Sequence, residues 1–371
     1  MDRTVDRTEH PGPPAASPAV RPVGGDPGPA AAPPLPPPSP ERLLQVGTGF
    51  WGAKTLLSAV ELGLFSALAA APADAETLRA RLGLHPRGAR DFFDALVALG
   101  LLERTDGRYH NTPETALFLD RTQPSYLGGL FEMLNARLYG PWGGLTAALR
   151  TGRPQNEAVA GGSFFDALYA NPDPGPLRVF MQGMTGANRL AAPAIARRFP
   201  WERYRTFVDV GTAQGNLPVE LARVHPHLTG VGLDVPAVRP LFEEYVAACG
   251  LAARLRFHAA DFFADPLPTA DVLILGLILE DWDLAQKRAL LAKAYAALPA
   301  GGALLVYEPM IDDARRTNAF ALLQSLNMLI ELPGGFIGTG AEVRGWLHDA
   351  GFRETVLHEL GGPTAMVVGV K

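Results

Sequence analysis

The sequence of 371 residues has little cysteine, little lysine and no long apolar run, and these shortages exclude several classes of protein. Its single cysteine, Cys249, excludes an intramolecular disulfide framework and a thiolate cluster for zinc or iron–sulfur. The most apolar unbroken stretch, residues 272–279, has eight residues, whereas roughly 20 are needed to cross a bilayer. The net charge of −5 is unsuited to a nucleic-acid binder that relies on bulk positive charge. We therefore expect a soluble, cytoplasmic globular protein whose partners are neither nucleic acid nor membrane.

Proline, in contrast, is abundant and unevenly placed. Of 34 prolines, 13 lie in the first 40 residues, among many alanines and glycines. A segment with so little apolar surface to bury is typical of a disordered tail with polyproline character. It lacks the apolar centre of a secretory signal, and its early acidic residues argue against a transit peptide. We predict a disordered tail over residues 1–40, with a docking segment for a partner as the alternative.

Residues 41–120 have the pattern of a small helical domain with a β-wing. Apolar residues recur at three- and four-residue steps, and the segment LLERTDGRYHNT has a strand, an Asp-Gly turn and a second strand. This arrangement predicts a winged helix. DNA binding is disfavoured because Asp91 and Asp94 stand where a recognition helix needs basic residues. We therefore expect a structural or dimer-forming role for this domain.

The second half of the chain has the pattern of a parallel sheet. Residues 121–200 continue as helices broken by proline and glycine, and after residue 200 short β-branched runs alternate with helices. Strands are expected in TFVDV, TGVGLD, RLRFHA, DVLILGL and ALLVYE, followed by a terminal hairpin with an antiparallel final strand. The predicted fold class is α/β, a doubly wound Rossmann-like sheet over residues 201–371 behind an α-helical winged-helix domain. Such sheets bind ligands outside the carboxyl ends of their strands.

A glycine-lined turn follows the first predicted strand. The segment FVDVGTAQG places Asp209, Gly211 and Gly215 where the strand passes into a helix. Glycines at such a turn let backbone amides approach a ligand closely, and a carboxylate there suits a positively charged group better than a pyrophosphate. The turn alone is weak evidence for a nucleotide-like cofactor.

Acidic residues also close the next two strands. Asp234 ends the second strand, the position from which an acid binds ribose hydroxyls, and Asp261 ends the third, beside the aromatic ring of Phe262. Each of these aspartates alone is readily explained as a helix cap or turn residue. Three acids after three successive strands favour a cofactor that contains a nucleoside.

Taken in order, these segments resemble the S-adenosylmethionine-dependent small-molecule O-methyltransferases of the plant caffeate and acetylserotonin type, including bacterial natural-product relatives. The resemblance rests on the winged-helix region, FVDVGTAQG, GLD, AADFF, ILGLILEDWD and LLVYEPMIDD, and it covers residues 41–371. It implies S-adenosyl-L-methionine as cofactor, a small aromatic substrate and a homodimer formed through the N-terminal domain. It also implies that residues 121–200 form a helical linker that caps the substrate, and that residues 201–371 form the catalytic domain.

The resemblance also implies roles for individual residues. It assigns cofactor binding to seven positions, namely Asp209, Gly211, Gly215, Asp234, Asp261, Phe262 and Trp282. It assigns substrate binding to Met181, Met184, Asn188 and Asn327. The helical residues among these have an alternative as ordinary core, because they recur at three- and four-residue spacing. The histidines lack ligand spacing with carboxylates, so we expect no metal.

The sequence departs from this family at the expected base. Where the family has Leu-His-Asp-Trp, the chain has a glutamate, Glu280, in place of the histidine. One of the family's two supporting glutamates matches Glu308, and the other falls on Ile337. Glutamate has a reference pKa of about 4.3 against about 6.5 for histidine, which makes it a weaker base for a phenol. Burial and the like charges of Asp281 and Glu308 are expected to raise the pKa of Glu280, and we assign catalytic roles to these three residues.

Three functions stay open at this point. The first is O-methylation of a phenolic or enolic natural product in secondary metabolism, such as antibiotic biosynthesis. The second is methylation at carbon or nitrogen. The third is a non-methyl-transfer reaction, or a regulatory role, in a relative that only binds the cofactor.

Overall fold

A computed structural model describes residues 38–156 and 164–371. The chain divides into two units, Met1–Gly47 and Thr48–Lys371. In the first unit, helix α1 (Glu41–Gly47) begins where the amide of Leu44 donates to the carbonyl of Pro40. The predicted tail lies outside the described residues except for residues 38–40, so its disorder stays a prediction.

The second unit opens with four short helices and a two-stranded wing. The helices are α2 (Gly49–Glu61), α3 (Leu64–Ala70), α4 (Ala75–Arg81) and α5 (Pro86–Ala98), and the wing strands are β1 (Leu102–Thr105) and β2 (Arg108–Asn111). Asp106 and Gly107 have φ values of 51° and 75°, the left-handed pair that a tight hairpin turn requires. The winged-helix prediction is confirmed.

Asp94 has a structural role in this region. Its carboxylate accepts hydrogen bonds from the guanidinium of Arg104 and from the hydroxyl of Tyr109, at 2.6 Å for the latter. These bonds lower the pKa of Asp94, the Tyr109 bond most strongly, and they tie α5 to the wing. An acid used in this way explains why the helix lacks a basic DNA-binding face.

A run of helices connects the wing to the sheet. It comprises α6 (Pro113–Phe118), α7 (Gly128–Met133), a π-helical turn (Leu134–Leu138), a 3₁₀ turn (Pro141–Gly144), α8 (Leu145–Thr151), α9 (Phe164–Tyr169) and the long α10 (Pro174–Arg198). Helices α7 and α10 cross closely at Gly183 of α10 and Met133 of α7. A Cβ atom on Gly183 would lie only 2.6 Å from the sulfur of Met133. Only glycine permits this approach.

A seven-stranded sheet forms the rest of the second unit. Its strands are β3 (Thr206–Val210), β4 (Thr229–Asp234), β5 (Leu255–Ala259), β6 (Val272–Gly276), β7 (Ala303–Pro309), β8 (Glu354–Gly361) and β9 (Thr364–Val370). Their spatial order is β5-β4-β3-β6-β7-β9-β8, in which the first five are parallel and the terminal hairpin is antiparallel. The predicted strands and the antiparallel final strand are confirmed.

Helices cover both faces of this sheet. The C-terminal part of α10, α11 (Asn216–Val224) and α12 (Arg239–Ala248) pack on one face, and α13 (Leu284–Ala297) and α15 (Gly340–Ala350) pack on the other. Helix α14 (Ala319–Glu331) packs in a separate cluster with α9 and α10. Side chains of β6 alternate between two cores: Val272 and Ile274 join one, while Leu273 and Leu275 join the other. This explains why the central strands are apolar on both faces.

Among the described residues, no single helix is long and apolar enough to cross a membrane. One bent pair of consecutive N-terminal segments, Glu41–Glu61 with Leu64–Ala70, meets the criterion jointly by length and composition.

Candidate active site

A cavity of about 340 Å³ opens at the carboxyl ends of the parallel strands, where β3 and β6 lie side by side. The sheet reverses its strand order here, which is where doubly wound folds bind ligands. Eight residues predicted to bind cofactor or substrate line the cavity, namely Met181, Met184, Asn188, Gly211, Asp234, Asp261, Phe262 and Trp282. Five further predicted residues, Asp209, Gly215, Glu280, Glu308 and Asn327, lie outside its lining.

The turn after β3 is fixed by backbone geometry. Gly211 has a φ of 72°, and a Cβ atom there would lie 2.2 Å from the side chain of Ile278. Gly215 has a φ of 84° at the start of α11, where a Cβ atom would meet the ring of Phe242 at 2.6 Å. Both positions therefore require glycine for conformation and for space. Of the two, only Gly211 faces the cavity.

Two buried aspartates flank this turn. Asp209 accepts a hydrogen bond from the hydroxyl of Thr212 at 2.8 Å, and Asp234 accepts one from the amide of Ala213 at 2.9 Å. Burial raises the pKa of Asp209 to about 7 and that of Asp234 to about 6. In the described part of the chain, neither carboxylate forms an ion pair. Two buried acids without a cation suit a positively charged ligand.

An aromatic wall stands opposite the turn. The indole of Trp282 lies edge-on to the rings of Phe262 and Phe263, with centroids 5.9 and 4.7 Å away, and is stacked with Phe165 at 5.8 Å. Asp261 at its margin is exposed and accepts a hydrogen bond from the amide of Phe263 at 2.8 Å. Flat aromatic surfaces beside a carboxylate fit a purine base.

The buried acids, the glycine turn and the aromatic wall together fit S-adenosylmethionine, which carries an ammonium, a sulfonium, a ribose diol and an adenine. The sequence analysis assigned no role to Tyr169 of α9, which also lines the cavity. Burial, with the charges of Asp234 and Asp281, raises the pKa of Tyr169 and keeps its hydroxyl protonated.

A second group of acids lies beside the cavity. Glu280 and Asp281 belong to a 3₁₀ turn, Leu279–Asp281, and Glu308 lies on β7. Glu280 is 5% exposed and Glu308 is fully buried. The amide of Glu280 donates to Oε2 of Glu308 at 3.1 Å. Among the described residues, Oε2 of Glu280 and Oε1 of Glu308 are buried without a hydrogen-bond partner.

Burial raises the pKa values of these acids, and neighbouring negative charges add to this effect for Glu280, as expected from the sequence. Burial is the largest cause of the raised pKa of Glu280, followed by the charges of Glu308 and Asp281. Burial also raises the pKa values of Asp281 and Glu308. Asp281 lines the cavity, so the acid group borders the space where a substrate would bind.

Two charged residues near this group were missed by the sequence analysis. Glu331, at the end of α14, raises the pKa values of Glu280 and Asp281 through its charge. Lys287, on α13, is fully buried. A weak signal existed for both, because Glu331 is the only charged residue of its helix and lysine occurs only four times in the chain.

Asn327 is engaged outside the cavity lining. Its Oδ1 accepts a hydrogen bond from the indole of Trp142 at 2.8 Å, and its Nδ2 donates to Glu331 at 2.6 Å. Glu331 also forms an ion pair of 3.4 Å with Arg137. We call these four residues the cap strap, because they join the connecting helices to α14. Asn327 therefore joins the connecting helices to α14, and its assignment to substrate binding stays a prediction.

The other substrate positions lie on the cavity side of α10. Asn188 accepts a hydrogen bond from the hydroxyl of Tyr307, a buried residue of β7. Met181 is 1% exposed and belongs to a hydrophobic cluster while also lining the cavity, so its alternative as core residue stays open. Within residues 38–156 and 164–371, there is no group of three or more His, Cys, Asp or Glu able to hold a metal ion.

Comparison with known proteins identifies the class to which this fold and site belong. The O-methyltransferase domain matches residues 142–353, and the O-methyltransferase dimerisation domain matches residues 44–121. The chain belongs to this O-methyltransferase family, and it is a methyltransferase that uses S-adenosylmethionine.

Individual relatives agree with this assignment. The tetracenomycin polyketide synthesis 8-O-methyl transferase TcmO of Streptomyces glaucescens is 44% identical over 90% of this chain and 97% of its own. The N,N-dimethyltransferase OxyT of Streptomyces rimosus is 42% identical over 84% of this chain and 90% of its own. The crystal structure of human N-acetylserotonin methyltransferase in complex with SAM superposes with a TM-score of 0.83 at 28% identity, covering 90% of this chain and 98% of that one.

Proposed function

We propose that this methyltransferase methylates a hydroxyl oxygen of a small aromatic natural product of the polyketide type, in secondary metabolism. The observation that carries the proposal is the unpartnered, buried Oε2 of Glu280, whose neighbour in the chain, Asp281, lines the cavity. A buried carboxyl oxygen needs a hydrogen-bond partner, and an acceptor's hydroxyl group supplies one. The 44% identity with TcmO supports the polyketide class.

The cofactor residues divide by the chemistry of the group that they would hold. Asp209 and Gly211 serve the methionine part, with Asp209 acting on the ammonium. Asp234 holds the ribose hydroxyls. Asp261, Phe262 and Trp282 hold the adenine, and Gly215 acts indirectly by starting α11.

The substrate lies against α10, next to the acid turn. Met181 and Met184 supply apolar contact, and Asn188 supplies a polar contact while its Oδ1 is held by Tyr307. Asn327 acts from outside through the cap strap. Helices of residues 121–200 would thus exclude water from the acceptor.

Proton removal falls to the acid group. S-adenosylmethionine supplies an electrophilic methyl group when bound, and its transfer to a hydroxyl oxygen releases one proton from the acceptor. Glu280 in its ionised form takes this proton. Its raised pKa makes it a better base for a phenol than an exposed glutamate. Glu308 orients Glu280 by accepting a hydrogen bond from the backbone amide of Glu280. Asp281, the next residue after Glu280, lines the cavity.

N-methylation is the second candidate. The acids Glu280, Asp281, Glu308 and Glu331 would also hold a protonated amine, and an ionised carboxylate among them would take the proton that the nitrogen must lose before it attacks the methyl group. The N,N-dimethyltransferase OxyT is 42% identical to this chain, which gives this candidate support of its own.

We also propose that the protein is a homodimer formed through residues 41–120. An apolar groove is lined by Phe50, Trp51 and Phe92 of this region together with Tyr139 from the connecting helices. Phe50 and Trp51 are 56% and 63% exposed. Large exposed aromatic rings in one groove mark an interaction surface. The match to a dimerisation domain supports a second copy of the chain as the partner.

The substitution Glu280→Gln tests the proposed role of the base. We expect turnover on hydroxylated aromatic acceptors to fall at least about 100-fold, because the amide accepts no proton. Calorimetry should show unchanged affinity for S-adenosylmethionine. Asp349→Asn, which removes an exposed carboxylate paired with Arg288, is the matched control and should leave turnover unchanged. Unchanged turnover in Glu280→Gln would contradict the role of Glu280.

A further inference from the structure

Lys287 is a buried cation that none of the roles above uses. It has no solvent exposure, and its Nζ donates a hydrogen bond to the backbone carbonyl of Phe336. The same nitrogen lies 3.5 Å from the ring centroid of Phe336 and 5.5 Å from that of Trp346. A lysine is rarely buried so fully unless its charge is paired.

The loop that holds Lys287 packs directly on the acid turn. A Cβ atom on Gly335 would lie 2.8 Å from the carbonyl oxygen of Glu280, and one on Gly334 would lie 2.9 Å from Cβ of Asp283. The carbonyl that binds Nζ belongs to the next residue of this loop. The ammonium is therefore held in a fixed place beside the turn that carries Glu280.

Acidic groups face Lys287 from three elements. Burial lowers the pKa of Lys287. The negative charges of four acids act in the opposite direction and raise it, namely Glu308 on β7, Glu280 and Asp281 on the 3₁₀ turn, and Asp283 at the start of α13. A fifth acid, Glu331 on α14, acts on Glu280 and Asp281 and is itself paired with Arg137.

The effect of Lys287 on these acids is opposite to that of burial. Its charge lowers the pKa values of Glu280, Asp281 and Glu308. Among the described side chains, it is the only cation that acts on all three. Without it, burial and mutual repulsion would favour the protonated acids, which cannot accept a proton.

We propose that Lys287 is a positioning residue for proton removal, whose buried ammonium keeps the Glu280–Glu308 pair from being fully protonated at neutral pH. One carboxylate of the pair is then available to take the proton of the acceptor's hydroxyl group, which later leaves to solvent. This inference rests on the proposed function of Glu280.

Three substitutions separate the charge of Lys287 from its packing. Lys287→Met removes the charge and the hydrogen bond, Lys287→Gln removes the charge but keeps an N–H donor, and Lys287→Arg keeps the charge. We expect kcat/KM at about pH 6 to fall roughly tenfold in the Met and Gln variants and to recover at higher pH. The reason is that the acid limb of their pH profile of kcat/KM shifts to higher pH. The Arg variant should keep the acid limb of the wild type.

A second readout needs no turnover. In ligand-free protein labelled with ¹³C at the glutamate carboxyl carbons, the signals of Glu280 and Glu308 should titrate at higher pH in Lys287→Gln than in the wild type. If neither neutral variant folds, the wild-type spectrum alone decides the matter. At about pH 7.5 it should show at least one ionised carboxyl in the pair, and two protonated carboxyls would overturn the proposal.

The outcomes distinguish this inference from the proposed function. A wild-type profile without an acid limb contradicts the base role of Glu280. If the acid limb of the pH profile lies at the same pH in Lys287→Met and Lys287→Gln as in the wild type, only the proposed role of Lys287 is overturned. A lower melting temperature of these variants would not rescue that role, because a purely structural role would also lower it.

Discussion

Glu280 occupies the place where the resemblance puts a histidine base, and its surroundings decide whether it can do the same work. Burial raises the pKa of Glu280 and so favours the protonated form, which cannot act as a base. The charge of Lys287 opposes that effect. In the proposed mechanism, Lys287 thus adjusts the proton affinity of the glutamate that stands in place of the histidine.

Asp234 gives a residue-scale prediction about pH. Burial raises its pKa to about 6 in the ligand-free protein, so the folded state holds this proton more tightly than the unfolded state. The contribution of Asp234 to stability is therefore present below about pH 4 and is lost as the pH rises to about 6. A bound cation favours the carboxylate, so we expect S-adenosylmethionine to release protons on binding at about pH 6.

Calorimetry in two buffers of different ionisation enthalpy measures this release. Asp234→Asn should reduce the release and weaken binding at least about tenfold, because a hydrogen bond to a charged group is lost. Asp349→Asn should change neither. Equal affinity in Asp234→Asn, or no proton release by the wild type, would contradict the placement of the cofactor.

At the scale of single residues, sequence reasoning succeeded where the backbone decides. Gly211 and Asp234 could be located because strand ends in a parallel sheet meet at one edge. Lys287 and Glu331 could not, because their burial depends on how the loop after α14 packs on the acid turn. The hydrogen bond from Trp142 to Asn327 could not be predicted either, because it joins two segments that are far apart in the sequence.

The cap strap is the feature that matters at the scale of elements. It links the 3₁₀ turn Pro141–Gly144 and the π-helical turn Leu134–Leu138 to α14. These segments lie far apart in sequence, and their polar side chains are largely buried. A buried polar network fixes one arrangement of the elements that it joins. The connecting helices are therefore held from the side of α14, and in the proposed function they cover the acceptor.

Removing one bond of the strap should affect the acceptor and spare the cofactor. Trp142→Phe deletes the donor to Asn327, and we expect the acceptor KM to rise about two- to tenfold, the loss of one net hydrogen bond. Affinity for S-adenosylmethionine should not change. Trp201→Phe is the matched control, because it deletes an indole bond to the carbonyl of Ile195 in the sheet core. An unchanged acceptor KM in Trp142→Phe, or an equal rise in the control, would contradict a role for the strap in acceptor binding.

Helices and strands were predictable where apolar residues recur at one regular spacing in the sequence. The strands of the sheet and the wing hairpin follow from apolar runs and from the Asp106-Gly107 turn. The π-helical turn Leu134–Leu138 and the short helices around it carry no such period, and their form depends on contacts with α10 and α14.

At the scale of the whole molecule, the order of strands and helices was predictable because βαβ units allow few topologies. The proposed dimer would form through exposed apolar surface in the N-terminal region. A single glutamate in the proposed dimer groove should separate the copies, because burying an unpaired charge is costly. We expect Trp51→Glu to sediment as one chain and the wild type as two.

The control for this prediction is Val356→Glu, which places the same charge on an exposed residue of the edge strand β8. It should sediment like the wild type. A dimeric Trp51→Glu variant would place the interface elsewhere.

The most direct test of the central claim follows the transferred methyl group. The purified protein is incubated with S-adenosylmethionine carrying a ¹³C-labelled methyl group and with a polycyclic aromatic acceptor that bears both hydroxyl and amino groups, and the product is examined by ¹³C NMR. We predict a methoxy carbon signal that depends on Glu280. A signal from an N-methyl or C-methyl carbon, in place of the methoxy signal, would contradict the claim that this enzyme methylates oxygen.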